Sequence, residues 1–240
     1  MKKTIGILGG MGPEATAYFY ELIIKHTKAE KDQEHIKVVI YSNPEIPPRT
    51  DAILKTGPSP TPLLVEGFRR LQDAGADFIA MPCVTAHHFV PEVREQVDVP
   101  FINLLDETVK WAQKEIPEIR KAGLVASTGT IKSQLFHDAF ARAGIEVIAP
   151  EEEEQAQVIE AIFGKQGIKA GFSSGSPKEI LISIAKVLIA RGADAIIAGC
   201  TEVPLVLKDK DIPVPLIEPL RITAQACILE AGYELRDQIL

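Results

Sequence analysis

Gly75-Ala76-Asp77-Phe78-Ile79-Ala80-Met81-Pro82-Cys83 has a counterpart 117 residues further on, Gly192-Ala193-Asp194-Ala195-Ile196-Ile197-Ala198-Gly199-Cys200. The same offset carries Gly6 onto Gly123 and Gly12 onto Gly129. Ile5-Gly6-Ile7-Leu8-Gly9-Gly10-Met11-Gly12 therefore overlays Ala122-Gly123-Leu124-Val125-Ala126-Ser127-Thr128-Gly129. Asp98-Val99-Pro100 lines up with Asp211-Ile212-Pro213, the register slipped by four. Such a chain reads as two like halves. Like residues would then lie on opposite sides of the interface between them.

Around these stretches, short apolar runs alternate with longer amphipathic segments, the pattern of βαβ units and a parallel sheet. Strands are expected at 4–8, 36–41, 78–81 and 101–104, and again at 123–126, 146–149, 195–198 and 214–217. Helical periodicity covers 14–28, 63–73, 106–114, 133–143, 151–163, 177–191 and 220–238. The expected fold class is α/β, with two pseudo-symmetric domains, each a parallel sheet of about four strands flanked by helices. The repeat sets the domains at 1–104 plus 215–240 and 105–214, with the active-site cleft between them. In open parallel sheets ligands bind beyond the carboxyl ends of the strands. Both cysteines, the Gly9–Pro13 loop and the Ser127–Thr130 loop stand at such ends.

The 240 residues are 46% hydrophobic, 25% charged and 6% aromatic, an ordinary globular composition with a formal net charge of −7. That balance disfavours nucleic acid or an anionic membrane surface as partner, since either wants a basic stripe. No apolar run approaches the roughly 20 residues of a membrane span. Lys2-Lys3 is followed by too short an apolar run for a signal peptide, and three cysteines are no disulfide framework. A cytoplasmic protein with reduced thiols is expected. The acidic run Glu151–Glu154 reads as the solvated start of a helix.

Inverting an α-carbon needs a base on one face and an acid on the other. A thiol serves both roles when neighbouring dipoles or charges bring its pKa near neutrality. A lone buried cysteine is usually a small hydrophobe, and Cys227, in the last amphipathic segment, reads that way. Cys83 and Cys200 differ because both follow strands at repeat-equivalent positions, and each has a threonine close by, Thr85 and Thr201. Those hydroxyls and the nearby backbone N–H groups can hold a carboxylate and the enolate-like charge that develops. Gly9-Gly10-Met11-Gly12-Pro13 does not fit a dinucleotide fingerprint and no Walker lysine follows. It reads as a loop whose backbone approaches a small anion. Cys83, His87 and His88 lack a matching cluster in the second half, so no metal is expected. The two histidines should begin the helix after the cysteine loop. Arg49, in a Pro-bounded loop, and Lys165, at an offset of 116, suit a clamp on a side-chain carboxylate.

With these residues on the page, the chain resembles the aspartate/glutamate racemase family, in particular its pyridoxal-independent aspartate and broad-substrate amino-acid racemase branch. The likeness rests on Gly9-Gly10-Met11-Gly12-Pro13, Met81-Pro82-Cys83 with Thr85-Ala86-His87, Ser127-Thr128-Gly129-Thr130 and Gly199-Cys200-Thr201-Glu202, and it spans essentially the whole chain. It implies two homologous α/β domains, a cofactor-free two-base isomerase and a homodimer. Cys83 and Cys200 match the catalytic pair. Arg49 and Lys165 match the positions that hold the distal carboxylate, and Met11, Val84, Thr85, Thr128 and Thr201 complete the expected substrate-binding set. The family usually has Asn after the first cysteine, where this chain has Val84.

The leading reading is thus a racemase of aspartate or glutamate that uses no cofactor. A hydantoin racemase or a maleate-type isomerase is the alternative within the superfamily, and the cationic pair favours an acidic substrate over a hydantoin. A small-anion-binding regulatory protein on the same scaffold is an alternative of another class. A thiol–disulfide redox protein fits less well, since a substrate-sized gap is too wide for a disulfide.

Overall fold

In the computed structural model, residues 2–172 and 174–237 are described. The chain divides into two compact units, Met1–Glu107 with Leu220–Leu240, and Thr108–Pro219. In chain order the first carries β1 (Ile5–Gly9), α1 (Pro13–His26), β2 (Val38–Ser42), α2 (Arg49–Ile53), α3 (Thr61–Asp73), β3 (Phe78–Ala80), α4 (Val90–Arg94), β4 (Phe101–Ile102) and the start of α5 (Leu104–Glu115). Then follow β5 (Lys121–Val125), α6 (Thr128–Lys132), α7 (Leu135–Ala141), β6 (Glu146–Ile148), α8 (Glu152–Phe163), α9 (Ser176–Ala190), β7 (Ala195–Ala198), α10 (Val203–Val206) and β8 (Leu216–Ile217). The last helix, α11 (Pro219–Glu230), belongs almost wholly to the first unit.

Each unit holds one all-parallel four-stranded sheet, in the orders β2-β1-β3-β4 and β6-β5-β7-β8. Adding four to every strand of the first order gives the second, so the sequence repeat is a repeat of topology. The central strands β1, β3 and β7 are wholly buried and β5 nearly so, as expected where helices cover both faces.

Much of the Gly-Ala-Asp repeat proves to be scaffold. Gly75 and Gly192 sit at φ 87° and 92°, the left-handed conformation that ends α3 and α9 without a Cβ penalty. Asp77 accepts the Thr4 N–H at 2.7 Å, and Asp194 accepts the N–H groups of Arg120 and Lys121, both at 2.9 Å. Each carboxylate thus ties the start of its own strand to the residues that open β1 or β5. The Asp194 carboxyl is held below its usual range by those two backbone donors. At Gly6 an added Cβ would lie 3.4 Å from the Leu71 Cβ of α3 and 2.8 Å from the Ala76 Cβ beyond it, and at Gly123 one would lie 2.9 Å from the Leu188 Cβ. That close approach seats α3 on β1 and α9 on β5.

Several expectations shift in detail. The helix expected at 133–143 is α7 alone, Leu135–Ala141; α6 precedes it over Thr128–Lys132, and Gln134, whose φ of 58° is left-handed, separates the two. The segment after Cys83 opens as a 3₁₀ turn over Thr85–Phe89, with Val90–Arg94 its only α-helical part. Arg49 is no loop residue but the first residue of α2. The helix expected to reach Gln238 ends at Glu230, and Gly232 at φ 78° turns the chain. Gln238 itself lies outside the described residues. Among the described residues no helix is long and apolar enough to cross a membrane.

Candidate functional site

In the first unit β3 runs into Met81-Pro82-Cys83, where the Cys83 N–H bonds the Met81 carbonyl at 2.8 Å and turns the chain sharply. The Cys83 thiol is 5% exposed and 3.5 Å from the Thr85 hydroxyl. Val84 is buried. His87 is buried too, and its ring is a brace: Nδ1 lies 2.9 Å from the Cys83 carbonyl, while Nε2 accepts the Leu104 N–H at 3.3 Å. Accepting at Nε2 and donating from Nδ1 requires the neutral imidazole. Burial pushes its pKa down to about 4, against the opposing pull of the Cys83 and Val84 carbonyls. His87 therefore holds the cysteine turn against the start of α5.

The Gly9–Pro13 loop is fixed from two sides. Thr16 Oγ1 accepts the Gly10 N–H and donates to the Gly12 carbonyl, both at 2.9 Å. From the other side Arg49 donates to Met11 O at 2.9 Å, Pro47 O at 3.0 Å and Ile46 O at 3.1 Å. The Met11 side chain packs in the same core cluster as Cys83, so its carbonyl is what it offers to Arg49. Arg49 Nε is buried with no partner among the described residues. The guanidinium thus knits two loops together and retains an unused donor.

In the second unit β7 delivers Gly199-Cys200-Thr201-Glu202. The Gly199 N–H bonds Val125 O at 2.9 Å, and a Cβ there would lie 2.4 Å from Leu124 Cδ1 and 3.0 Å from the Ala126 Cβ, so a larger residue would force Leu124 to shift. Cys200, 8% exposed, donates its thiol proton to Glu202 Oε2 at 3.0 Å. Thr201 Oγ1 donates to the same oxygen at 3.0 Å, and Lys169 pairs with Oε1. Lys169 Nζ also lies 5.6 Å from the Phe163 ring centroid. Burial raises the Cys200 pKa well above a free thiol's, and the charge and hydrogen bonding of Glu202 push the same way. The Glu202 N–H and Lys169 pull it back only in part. In this arrangement Cys200 is a protonated thiol.

Thr128 is the first residue of α6, behind Ser127, whose hydroxyl caps that helix by accepting the Thr130 N–H. Lys165 is exposed and lines a cavity of about 250 Å³ with Glu160, Gln166, Ser176 and Pro177. Neither Cys200 nor Glu202 lines that cavity. The cation that the structure brings to the cysteine cluster is Lys169. Sequence reasoning missed both Lys169 and Glu202. Glu202 was visible in Gly-Cys-Thr-Glu, but its grip on the thiol was not; Lys169 lies four residues past the one that the repeat offset selects, in the 3₁₀ turn Ile168–Ala170. Among the described residues no group of three or more His, Cys, Asp or Glu could hold a metal ion. Cys227 is buried in α11, its thiol pushed far up by burial.

Residues 8–227 match the family described as Asp/Glu/Hydantoin racemase. Among curated proteins, the broad specificity amino-acid racemase RacX of Bacillus subtilis (strain 168) is 30% identical over 236 residues, covering 93% of this chain and 96% of that protein. Among solved structures, the aspartate racemase of Picrophilus torridus superposes with a TM-score of 0.85 at 30% identity, over 98% of this chain and 96% of its own. An aspartate racemase homologue from Pyrococcus horikoshii OT3 gives 0.77 at 26% identity, over 97% and 100%. With its paired four-stranded sheets and a cysteine at the end of each third strand, this chain belongs to the Asp/Glu/hydantoin racemase family.

Proposed function

We propose that the protein is a cofactor-independent amino-acid racemase acting on aspartate or glutamate by two-thiol proton transfer at the α-carbon. The observation that carries this is the pair of buried thiols, Cys83 and Cys200, at the carboxyl ends of topologically equivalent strands. In the proposed cycle one cysteine takes the α-proton as thiolate while the other gives a proton to the opposite face. Cys200, held as a thiol by burial and Glu202, enters as the acid for one enantiomer. For the other enantiomer it must lose that proton, and Glu202 is the group already in contact with it.

Hydroxyl donors at Thr85 and Thr128, with the backbone N–H groups of Val84 and Thr201 and the Met11 loop, are assigned to the α-carboxylate and to the charge that grows on it, since the Thr201 hydroxyl proton is held by Glu202. The distal carboxylate is assigned to Arg49, through its unused Nε–H, and to a lysine. For that lysine the geometry favours Lys169 over Lys165, because an ammonium with three donors can bridge Glu202 and a substrate carboxylate beside Cys200. The likeness to RacX and to aspartate racemases supports amino acids as the substrate class. We further propose that the protein works as a homodimer in the cytoplasm.

The test is incubation with L-aspartate, L-glutamate and apolar L-amino acids in heavy water. Deuterium at the α-carbon together with formation of the D-enantiomer supports the reading. Its absence for every amino acid overturns it.

A further inference from the structure

Gln155 presents a buried acceptor that no described residue satisfies. Its Nε2 donates to the Ala126 carbonyl at 3.0 Å, which fixes the amide orientation, and its Oε1 is buried with no partner among the described residues. An unpaired buried amide oxygen is costly, and native proteins normally pair it. The residue is held firmly. Val158, one turn further along α8, is buried in the core of the second unit, as are Ala161 and Ile162. At its N-terminus the helix is fixed by the Glu151–Glu154 capping box and by Arg191, which grips Glu154 with two bonds at 2.7 and 2.9 Å.

The position of this oxygen matters. Ala126 follows directly on β5, and its Cβ would lie 3.0 Å from one added to Gly199, the residue before Cys200. The Gln155 amide therefore sits at the same strand edge as the Cys200 thiol. Two neighbouring acceptors, Glu202 and Ser127, are committed. Glu202 takes protons from Cys200 and Thr201 and pairs with Lys169, and Ser127 Oγ serves the Thr130 N–H.

We propose that Gln155 Oε1 accepts a hydrogen bond from the α-ammonium group of the substrate, a role that rests on the amino-acid racemase reading above. A neutral acceptor suits the chemistry. The ammonium charge stabilises the carbanion that forms when the α-proton leaves, and an amide oxygen orients the group without offsetting its charge. A carboxylate in the same place would bind the ammonium more tightly but cancel part of that stabilisation in the transition state.

The experiment compares binding of the L-amino acid that wild-type protein exchanges fastest with binding of its des-amino counterpart (succinate, if it is aspartate). Gln155→Leu should weaken the amino acid by about tenfold or more and leave the des-amino acid within about twofold. Gln155→Glu, which keeps the shape should the leucine variant not fold, should hold the amino acid at least as tightly while kcat falls by about tenfold. Equal weakening of both ligands in Gln155→Leu, no weakening at all, or unchanged kcat and KM in Gln155→Glu overturns the proposal. Failure of the parent reading looks different: wild-type protein then exchanges no amino acid. Intact wild-type exchange with unaltered discrimination in the variant removes the Gln155 assignment alone.

Discussion

Cys200 gives its thiol proton to Glu202 across 3.0 Å, in a cluster where both residues are buried. A carboxylate two residues from a cysteine therefore helps to set that cysteine's protonation. Burial is the larger cause of its raised pKa and the Glu202 charge is next. Glu202→Gln removes the second and leaves the first. The thiol pKa should fall, and the midpoint of the pH profile for iodoacetamide labelling of Cys200, followed by peptide mass spectrometry, should move to lower pH. Cys227, fully buried with a strongly raised thiol, should stay unlabelled in both proteins. An unmoved midpoint would show that burial alone governs Cys200.

Replacing either proposed acid/base thiol with a hydroxyl should stop inversion. Cys83→Ser and Cys200→Ser should each lower racemisation by at least about 10²-fold, because a serine hydroxyl does not ionise near neutral pH. Each variant keeps one thiol and should still exchange the α-proton of one enantiomer with solvent, the opposite enantiomer in the two variants. Racemisation at full rate in either variant would defeat the two-thiol mechanism.

His87 gives a pH signature in stability rather than in chemistry. Its folded pKa, about 4, lies below the ordinary 6.5, so as pH falls from about 6.5 the unfolded chain binds a proton that the folded chain refuses. The His87 contribution is steady above that window and is lost progressively down to about pH 4. Two and a half pKa units correspond to about 3 kcal/mol. Urea unfolding at pH 7 and pH 4.5 should show this loss, and His87→Gln should flatten it while lowering stability at pH 7. An equally steep fall in His87→Gln would place the acid sensitivity elsewhere.

Arg49 has a structural role and a proposed recognition role, and the two separate by substrate. Arg49→Ala removes three bonds to backbone carbonyls along with the proposed contact to the distal carboxylate. Losing one partner of a buried charged contact typically costs about 2–5 kcal/mol. Turnover of aspartate or glutamate should fall by far more than turnover of an apolar amino acid, whereas loop damage alone would lower both alike. Lys169→Met should show the same bias and Lys165→Met should not. A parallel loss on both substrate types would reopen the question of substrate class.

Strand positions and the two cysteine turns are legible because parallel buried strands read as unbroken apolar runs, and β3 and β7 lie within a residue of the expected bounds; the strand order within each sheet is seen only in the structure. Short helices such as α2 and α10 were not legible. Four or five residues carry no helical period, and their ends are set by contacts such as Arg49 with Met11. The repeat marks two like halves, and what its Gly-Ala-Asp portion does is visible only in the fold, where Asp77 and Asp194 serve strand docking. Lys169, Glu202 and Gln155 escaped for a common reason. Each acquires its meaning from a partner 2 to 33 residues away that only the folded chain brings within bonding distance.

Val84 stands where the resemblance leads one to expect Asn, and it offers a sharp test of the proposed binding site. The side chain is 4% exposed beside Cys83. Val84→Asn would bury a carboxamide, which costs about 1–3 kcal/mol where no partner is at hand. The unliganded variant should therefore unfold at lower denaturant than wild type. If the α-carboxylate or ammonium of the substrate is held beside Cys83, that carboxamide gains its partner on binding, and KM for the preferred amino acid should fall. The ligand-induced rise in unfolding midpoint should then be larger in Val84→Asn than in wild type, because binding satisfies a group that was unpaired before. Val84→Ala, which opens space without a polar group, should lower stability and give neither gain. An asparagine variant that is destabilised, with KM and ligand-induced stabilisation no better than in Val84→Ala, would mean that the substrate's polar groups lie elsewhere.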